Sequence, residues 1–377
     1  MKKWTAIFLL VLTILAPLSS LAQADYHTIT ELREQTPDRW TQTYETKWRT
    51  VEIDVPIEVP QVDSVPVLKI STGGTEVTPE QISGYAYIAD QDAYWLEAYT
   101  NKKLLRAFDC SPSEGIKLSA DVYGDEKPSV QPENVVLPYE DALALCRTEM
   151  KRLWGLDADQ VILYNTQVYD GVYQLRRQNG QKLWGKRVDD RTGFWCFSFE
   201  RQFHGISMES CGYGNAYDDD YFLDHSSTPR MTFCLWSDSD YSVTANLHQE
   251  LEVVYEDVPL HSFTDAKAAI EQEIMAGHLR WIGKMKLCYI PYLDPADKTV
   301  YWLLPTWYVE GVYTNNAQME LVPMYDQDGG ALVGYEGGVN DNMVMAYEAN
   351  QGKLIDRKDK SKDRRNVPDI ITWDDLK

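Results

Sequence analysis

Carboxylates dominate the side chains able to do chemistry, and their densest cluster is an aspartate run in the middle of the chain. Asp218, Asp219 and Asp220 are consecutive, and Asp224 and His225 follow closely. Clustered oxygen ligands are what Ca²⁺ prefers, but the ligand spacing of an EF-hand loop is absent. A solvated loop is therefore the favoured interpretation, and a calcium site on the four aspartates is the alternative.

Two other acidic segments are typical of turns. Asp326-Gln327-Asp328-Gly329-Gly330 begins like a calcium loop but lacks the later ligands and the closing acid. Its Asp-Gly-Gly sequence predicts a hairpin turn instead. Asp294 and Asp297 lie on either side of Pro295-Ala296, which also predicts a turn.

The chain contains only fragments of catalytic motifs. Gly205-Ile206-Ser207-Met208-Glu209 follows His204 but lacks the second glycine of a nucleophile elbow. His248-Gln249-Glu250 lacks the second histidine of a zinc-protease helix. A glycosidase needs only two carboxyl groups at a suitable separation, which a sequence does not reveal. We therefore predict no catalytic residue and no cofactor, and a non-enzymatic role is favoured over an enzymatic one.

The cysteines allow disulfide bonds without specifying them. An even number of cysteines in an exported chain is consistent with bridges, and Cys196–Cys211 could join neighbouring strands. The alternative is that several are buried thiols, because Cys146 and Cys288 lie in apolar patterns. No Cys-x-x-Cys spacing supports a zinc ribbon or a thioredoxin-like site. The six positions are Cys110, Cys146, Cys196, Cys211, Cys234 and Cys288.

Composition excludes several classes of partner. The formal net charge is −22, so the chain repels nucleic acid and anionic lipid surfaces.

Its 24 Tyr and 12 Trp outnumber its 9 Phe. Tyr and Trp have a polar group on a large apolar ring, which suits a β-rich fold and also the binding of sugars or peptides.

The first 24 residues have the pattern of a secretory signal peptide. Lys2 and Lys3 precede an apolar stretch over 4–21, and Leu21-Ala22-Gln23-Ala24 provides a cleavage site after Ala24. An uncleaved anchor is the alternative, because the stretch is just long enough to span a bilayer. The cleavage site has no cysteine, so a lipid anchor is not expected. No later segment is long and apolar enough to predict a membrane span. We expect a secreted or envelope-associated protein.

The N-terminal region contains a short helical pattern followed by aromatic residues. Trp40, Tyr44 and Trp48 are spaced by four, which predicts that their rings share one face of a helix. Apolar and polar residues then alternate over 51–57, which predicts a strand. Three prolines favour an edge strand or an extended arm, namely Pro56, Pro60 and Pro66.

Two later segments resemble each other. One helix is predicted from Tyr139-Glu140-Asp141-Ala142 to about Trp154, with Gly155 ending it. A second begins at Phe263-Thr264-Asp265-Ala266, after a Ser262–Asp265 capping box. Both begin aromatic-x-Asp-Ala, 124 residues apart. The strands that follow also correspond, with 160–164 matching 285–292 and 194–199 matching 301–308.

These patterns predict an α+β fold with a β-rich N-terminal region followed by two helix-on-antiparallel-sheet modules. The Pro-containing stretch 124–138 is interpreted as a linker, 356–365 as a charged tail, and Trp373 as folding back onto the body. The predicted units are a signal peptide (1–24), the N-terminal region (25–135), the two modules (136–258 and 259–355) and the tail (356–377).

One strand sequence carries a family resemblance. Pro305-Thr306-Trp307-Tyr308-Val309, after Tyr301-Trp302-Leu303-Leu304, resembles the "l-x-P-x-W" strand of PepSY-like and YycH/YycI-type extracytoplasmic proteins. The preceding Asp-Ala helix and the strand at 346–355 fit the same pattern. The likeness covers 262–355 and, less closely, 138–208. The segment Pro37-Asp38-Arg39-Trp40 resembles the start of uncharacterised exported proteins of Gram-positive gut anaerobes.

The resemblance implies tandem modules that bind or inhibit other envelope proteins without catalysis, and it carries over no functional residue. We therefore expect a secreted or envelope-associated binding or regulatory protein whose partner is another extracytoplasmic protein. A carbohydrate-binding or carbohydrate-active protein is the alternative, and a glycan would then be the ligand.

Overall fold

The protein is a mixed α+β structure built mostly of strands. The computed structural model describes residues 25–83, 86–89, 95–99, 113–117, 122–123, 131, 134–178, 181–187, 193–209, 229–297, 299–314, 317–318, 322–325, 332–336, 339–355 and 367–377. The predicted signal peptide, most of the linker and the charged run 356–365 lie outside these ranges. In the described part, no helix has the length and apolar character needed to span a membrane.

The helices are α1 (Ile29–Gln35), α2 (Tyr139–Trp154) and α3 (Phe263–Met275), with a short 3-10 helix at Ala158–Gln160. The strands are β1 (Tyr26–His27), β2 (Arg39–Glu45), β3 (Thr50–Glu58), β4 (Val67–Thr72), β5 (Ala86–Ala89), β6 (Trp95–Tyr99), β7 (Ser113–Lys117), β8 (Val122–Tyr123), β9 (Val161–Gln178), β10 (Gln181–Arg187), β11 (Phe194–Phe203), β12 (Ile206–Ser207), β13 (Arg230–Leu235), β14 (Tyr241–Asn246), β15 (His248–Tyr255), β16 (Leu260–His261), β17 (Leu279–Leu293), β18 (Val300–Tyr313), β19 (Val322–Tyr325), β20 (Leu332–Glu336), β21 (Val339–Glu348) and β22 (Lys353–Leu354).

Most described strands belong to two sheets. The first sheet has the order β10-β9-β11-β13-β14-β6-β5, with β7 and β8 also paired to β9 and β12 paired to β11. The second sheet has the order β15-β4-β18-β17-β3-β2, with β21 paired to β18 and β22 to β21. Its longest pairing joins β17 and β18 as an antiparallel hairpin. The turn between them contains Asp294 and Asp297, whose carboxylates accept hydrogen bonds from the backbone N–H groups of Ala296 and Thr299, which confirms the predicted turn.

Each sheet has its own hydrophobic core. Apolar residues of α2 pack with Trp195, Phe197 and Phe199 of the first sheet. Apolar residues of α1 and α3 pack with the second sheet, including Trp307. Cys146 lies in the first core and Cys288 in the second, as predicted for buried thiols.

The helix ends follow local sequence signals. In the capping box of α3, the Asp265 N–H donates to Ser262 Oγ at 3.2 Å, and the Ser262 N–H donates to the Asp265 carboxylate at 3.1 Å. Helix α2 ends where Gly155 adopts a left-handed conformation with φ 70°, which glycine reaches without a steric penalty. Both predicted helices are confirmed.

Helices α2 and α3 begin in the same way against their sheets. Tyr139 packs edge-on against Trp195, with ring centroids 5.5 Å apart, and Phe263 packs edge-on against Trp307 at 5.9 Å. The indole N–H of Trp195 donates to the carbonyl of Leu137 at 2.8 Å, two residues before Tyr139. The indole of Trp307 donates to the carbonyl two residues before Phe263, at 3.2 Å.

The prediction that Trp40, Tyr44 and Trp48 share a helix face is wrong. Trp40 and Tyr44 lie in β2 and are buried on one side of it. A spacing of four is even, so it places residues on one face of a strand as well as on one face of a helix. The short helical pattern before them is confirmed as α1.

The proline-containing segment was predicted to be an edge strand or an extended arm, and the structure divides it between the two strands β3 and β4 and a connection outside any strand that contains Pro60 and Pro66. β3 lies between β2 and β17, and β4 lies between β15 and β18. Pro56 is tolerated because it is near the end of β3, where the parallel pairing to β17 begins only at Ile57. Pro66 precedes β4, and its carbonyl accepts a hydrogen bond from the Tyr289 hydroxyl at 2.7 Å.

The sheets draw their strands from distant parts of the sequence. β5 and β6 join the first sheet, while β2, β3 and β4 join the second, although all five precede residue 135. β15 precedes residue 258 and pairs with β4. The first sheet therefore has strands on both sides of residue 135, and the second sheet has strands on both sides of residues 135 and 258, which are the predicted boundaries between units. The C-terminal segment returns to the body as expected, because the Trp373 indole donates to the Asp257 carboxylate at 2.8 Å.

We predict that Trp195→Phe and Trp307→Phe each lower the free energy of unfolding by about 1–3 kcal/mol, because each removes the donor of a backbone carbonyl that is half-buried at Leu137 and buried at His261. The lost ring volume adds to this cost. Urea denaturation followed by circular dichroism measures the loss. The half-buried Trp48 is the control, and a loss for Trp48→Phe as large as for the two sheet tryptophans would contradict the proposed role of the indole hydrogen bonds.

Candidate functional site

A tight hairpin links the two sheets. β11 and β12 pair with Phe203 opposite Ile206, which leaves His204 and Gly205 as the two loop residues. Both have positive φ angles, 52° and 76°, as a type I′ turn requires. The segment resembling a nucleophile elbow is therefore a β-hairpin turn.

The residues after this turn contact the second sheet directly. Met208 forms a parallel bridge with Tyr289, and the Glu209 N–H donates to the Tyr289 carbonyl at 2.9 Å. The hairpin thus fixes Ser207 and Glu209 beside β17, on the side of the first sheet that faces away from α2.

A cleft of about 740 Å³ lies where the sheets meet, and we call it the inter-sheet cleft. The first sheet contributes Tyr164 and Glu200, and the second contributes Trp281, Lys284 and Glu310. The volume is in the range of a site for a small molecule or a few residues of a peptide.

A β-bulge aims one aromatic ring into this region. In the pairing of β9 with β11, Asn165 is opposite Ser198 and Leu163 is opposite Phe199, so Tyr164 is the extra residue. Its ring packs against the Arg230 guanidinium, 4.2 Å from the ring centroid. The bulge therefore holds a cation at the wall of the cleft through a cation–π contact.

Lys286 is buried beneath the cleft with only 4% of its side chain exposed. Its ammonium group pairs with the Glu209 carboxylate and donates to Ser207 Oγ at 3.2 Å. Burial opposes the charged form of Lys286, but the attraction of Glu209 together with that of Cys288 and Glu200 outweighs it and raises the pKa of Lys286 above its ordinary value. The amine therefore stays protonated.

This protonation state decides what Ser207 can do. A serine–lysine pair acts as nucleophile and base only when the amine is neutral and can accept the hydroxyl proton. Here the ammonium group donates to Ser207 and is neutralised by Glu209. The contact is suited to holding the hairpin against β17, and it is not suited to activating Ser207.

Glu200 is the most deeply buried acid of the cleft, with a side chain 1% exposed. One carboxylate oxygen accepts from Arg230 at 2.5 Å. The other oxygen, Oε2, is buried and has no hydrogen-bond partner among the described residues. Burial, with repulsion from Glu209, raises the pKa of Glu200. A buried acceptor without a donor has a desolvation cost that a donated hydrogen bond would remove.

Glu310 is a second acid, and its negative charge is only partly balanced by a neighbouring cation. It lies opposite Lys284 in the β17–β18 register and is half-buried. Burial raises the pKa of Glu310, although Lys284 opposes this effect. The Lys284 ammonium is also 4.0 Å from the Glu58 carboxylate, so it is shared between two acids.

The charges of the described residues at the cleft do not balance. Among these residues, the lining side chains and their ion-pair partners comprise three cations and four carboxyl groups, so ionisation of all of them leaves one excess negative charge. The cations are Arg230, Lys284 and Lys286, and the acids are Glu58, Glu200, Glu209 and Glu310.

A second cavity of about 820 Å³ borders the same hairpin. His204 lines it and pairs through Nε2 with Glu250, 3.1 Å away. His248 is buried in strand β15, and its carbonyl accepts a hydrogen bond from the Arg201 guanidinium. His204 thus lines this second cavity with Glu250, while Ser207 contacts Lys286 at the inter-sheet cleft. His248-Gln249-Glu250 is part of a strand, so the histidine and glutamate are not on a zinc-binding helix.

The predicted calcium ligands lie outside the described residues. This applies to Asp218, Asp219, Asp220 and Asp224, and also to the 326–330 segment. Across the part of the chain that is described, no group of three or more His, Cys, Asp or Glu side chains is placed to hold a metal ion.

The sequence interpretation overlooked the buried ion pairs. Glu200 follows an apolar strand pattern in Phe-Ser-Phe-Glu, and Lys286 interrupts one in Met-Lys-Leu-Cys. A charged residue inside such a pattern is rarely buried unless it is paired. The charges at these two positions could therefore have predicted buried ion pairs.

Comparisons with known proteins define the fold only. No family model matches the sequence, and no curated protein matches it. Among solved structures, the chain is similar to the crystal structure of an uncharacterized protein from Eubacterium rectale, with a TM-score of 0.50 and 12% identity. The match covers 85% of this chain and 94% of that one. The two proteins share a mixed α+β architecture, and at this identity the likeness does not extend to function.

We predict that Lys286→Met lowers the free energy of unfolding by about 3–5 kcal/mol, because it leaves Glu209 without its cation in a buried site. The double variant Lys286→Met with Glu209→Gln removes both charges and is expected to recover most of that loss. Urea denaturation of the two variants provides the comparison. Equal stability of the single and double variants would show that the ion pair is not what the single substitution disrupts.

A separate buried acid joins the C-terminal segment to the second sheet. Glu348 is 2% exposed, and its carboxylate accepts from the N–H groups of Asn350 at 2.9 Å and Gln351 at 2.7 Å. Burial outweighs these bonds and raises the pKa of Glu348 to about 7. The Asn350 amide in turn donates to the carbonyl of Ile371 at 2.9 Å.

The raised pKa of Glu348 makes the stability depend on pH. The folded chain binds a proton that the unfolded chain releases between about pH 4.5 and pH 7, so this contribution to stability is lost as the pH rises through that range. It amounts to about 3 kcal/mol at most. In urea titrations from pH 4.5 to 7.5, Glu348→Gln should flatten the decline, whereas Glu34→Gln on the exposed side of α1 should not. An unchanged slope in Glu348→Gln would contradict the assignment.

Proposed function

We propose that this chain is an exported, non-enzymatic binding protein that binds another extracytoplasmic protein, with a basic side chain of the partner entering the inter-sheet cleft. The observation that carries the proposal is the excess carboxyl group of the cleft. Glu200 Oε2 lacks a donor among the described residues, and Glu310 shares Lys284 with Glu58. A guanidinium or ammonium group would supply both the missing charge and the missing hydrogen bonds.

Long-range electrostatics supports the same class of partner. The chain has a formal net charge of −22, so it attracts basic proteins and accelerates their encounter. The hydrophobic pattern of residues 1–24 supports export, which would place the protein among extracytoplasmic partners.

We also propose that the architecture is a tandem of two helix-on-sheet modules of PepSY-like type, facing each other across the cleft. The repeated docking supports this proposal, since Tyr139 on Trp195 and Phe263 on Trp307 share both the ring packing and the position of the indole acceptor. In this arrangement a regulatory partner would contact both modules at once.

A direct test uses small cationic probes on the mature chain. N-acetyl-arginine methylamide should bind the wild type in an NMR titration, and Glu310→Gln should weaken its binding by about 10-fold or more, because one charge-assisted hydrogen bond is lost. Glu252→Gln, an exposed change of the same charge on β15, is the control. The citrulline analogue has the same shape without the charge and should not bind.

Equal binding of the arginine and citrulline probes, or an unchanged affinity in Glu310→Gln, would contradict the proposal. Glu310→Gln is expected to remain folded, because burying a neutral amide is less costly than burying a carboxylate. Capture of envelope proteins by the wild type and not by Glu310→Gln would then extend the result to a natural partner.

A carbohydrate ligand is the second candidate, and it is favoured by the rings at the cleft. The Trp281 indole lies over Gly283, where a Cβ atom would be only 2.3 Å from the ring. Tyr164 and Trp281 together line the cleft beside Glu200 and Glu310, and sugars stack on such rings while their hydroxyls donate to carboxylates. In a glycan panel, binding that is lost in Trp281→Ala and independent of ligand charge would support this candidate, and an empty panel would dismiss it.

A further inference from the structure

Two cysteines are directly opposite each other in the first sheet. Cys196 of β11 pairs in register with Cys234 of β13 in an antiparallel ladder. Opposite residues in such a ladder have Cα atoms about 4.5–5.5 Å apart, which is within the range of a disulfide bond. Their Sγ atoms are 3.0 Å apart, so the side chains already point at each other.

The other described cysteines are poorly placed to compete. Cys146 and Cys288 are fully buried in two different cores. Burial also raises the pKa of the Cys146 thiol, which disfavours the reactive thiolate. Cys196 and Cys234 are only partly buried, on the face of the sheet turned away from α2. An oxidant can therefore reach this pair without unfolding either core.

We propose that Cys196 and Cys234 form a cross-strand disulfide bond when the protein meets an oxidising thiol–disulfide environment. One thiolate attacks a disulfide reagent, RSSR, and releases RS⁻ to give a mixed disulfide. The second thiolate then attacks the protein sulfur of that mixed disulfide and releases the other RS⁻. The two cysteines lose two protons and two electrons, and the reagent leaves as two RSH molecules.

The bond would secure the ladder that supplies the inter-sheet cleft. Three successive pairs on this face join β11 to β13, namely Cys196–Cys234, Ser198–Thr232 with oxygens 3.2 Å apart, and Glu200–Arg230 at 2.5 Å. The cysteine pair lies four residues, or about 13 Å, from the Glu200–Arg230 pair. A covalent link there keeps the two strands in the register on which the acid and its cation depend.

Mass spectrometry tests the proposal on the mature chain. The protein is reduced, exposed to oxidised glutathione, alkylated with iodoacetamide under denaturing conditions and digested without reductant. We expect a linked peptide containing Cys196 and Cys234, with two hydrogen atoms fewer than the two reduced peptides together. Cys146→Ala should give the same linked peptide, and Cys196→Ser should not.

A thermal measurement provides an independent readout. The oxidised wild type should melt on the order of 5 °C above the reduced protein, because the bond closes a long loop of the unfolded chain. The double variant Cys196→Ser with Cys234→Ser should show no such dependence on reductant. Full alkylation of both cysteines after oxidation, or linkage of either one to Cys110 or Cys211 instead, would overturn the proposal.

Discussion

The docking of a helix onto a sheet tryptophan is the interaction on which the rest of the structure depends. In each case an aromatic residue at the first position of the helix packs edge-on against the indole, and the indole N–H is bonded to the chain just before the helix. Ring packing fixes the distance between helix and sheet, and the hydrogen bond fixes the direction from which the helix begins. The two contacts together hold each helix against its own sheet.

The hairpin between the sheets also brings charged side chains together beside β17, and their burial has energetic consequences. Burying a charge is costly unless an opposite charge and hydrogen bonds accompany it. Lys286 satisfies this condition with Glu209 and Ser207, and Glu200 satisfies it only in part with Arg230. Among the described residues, the Lys286 pair is therefore complete, whereas the Glu200 pair leaves one buried oxygen without a donor. Stability alone would favour apolar residues there, and this is why we propose a binding role for the pair.

Local signals made α2 and α3 predictable, while the sheets required information that a single sequence does not contain. The Ser262–Asp265 capping box and Gly155 act within one helical turn, so their pattern is readable directly. Trp40 and Tyr44 were misassigned because their spacing suits both a helix and a strand. The joining of β4 to β15 and β18 depends on which strands can bury their apolar faces together, and no local pattern encodes that choice. The cleft was hidden for the same reason, since Glu200 and Lys286 come together only through the hairpin after β11.

Strand β11 shows how one segment serves two purposes through the alternation of its side chains. Trp195, Phe197 and Phe199 face α2 and build the first core, while Cys196, Ser198 and Glu200 face the other way. The apolar set builds the core, and Glu200 of the polar set lines the inter-sheet cleft. Because the two sets interleave residue by residue, a shift of one position in the β11–β13 register would place Glu200 in the core and a phenylalanine in the cleft. The β11–β13 register therefore determines both which side chains build the core and which side chains line the inter-sheet cleft. The cross-strand pairs along this ladder are the contacts that specify the register.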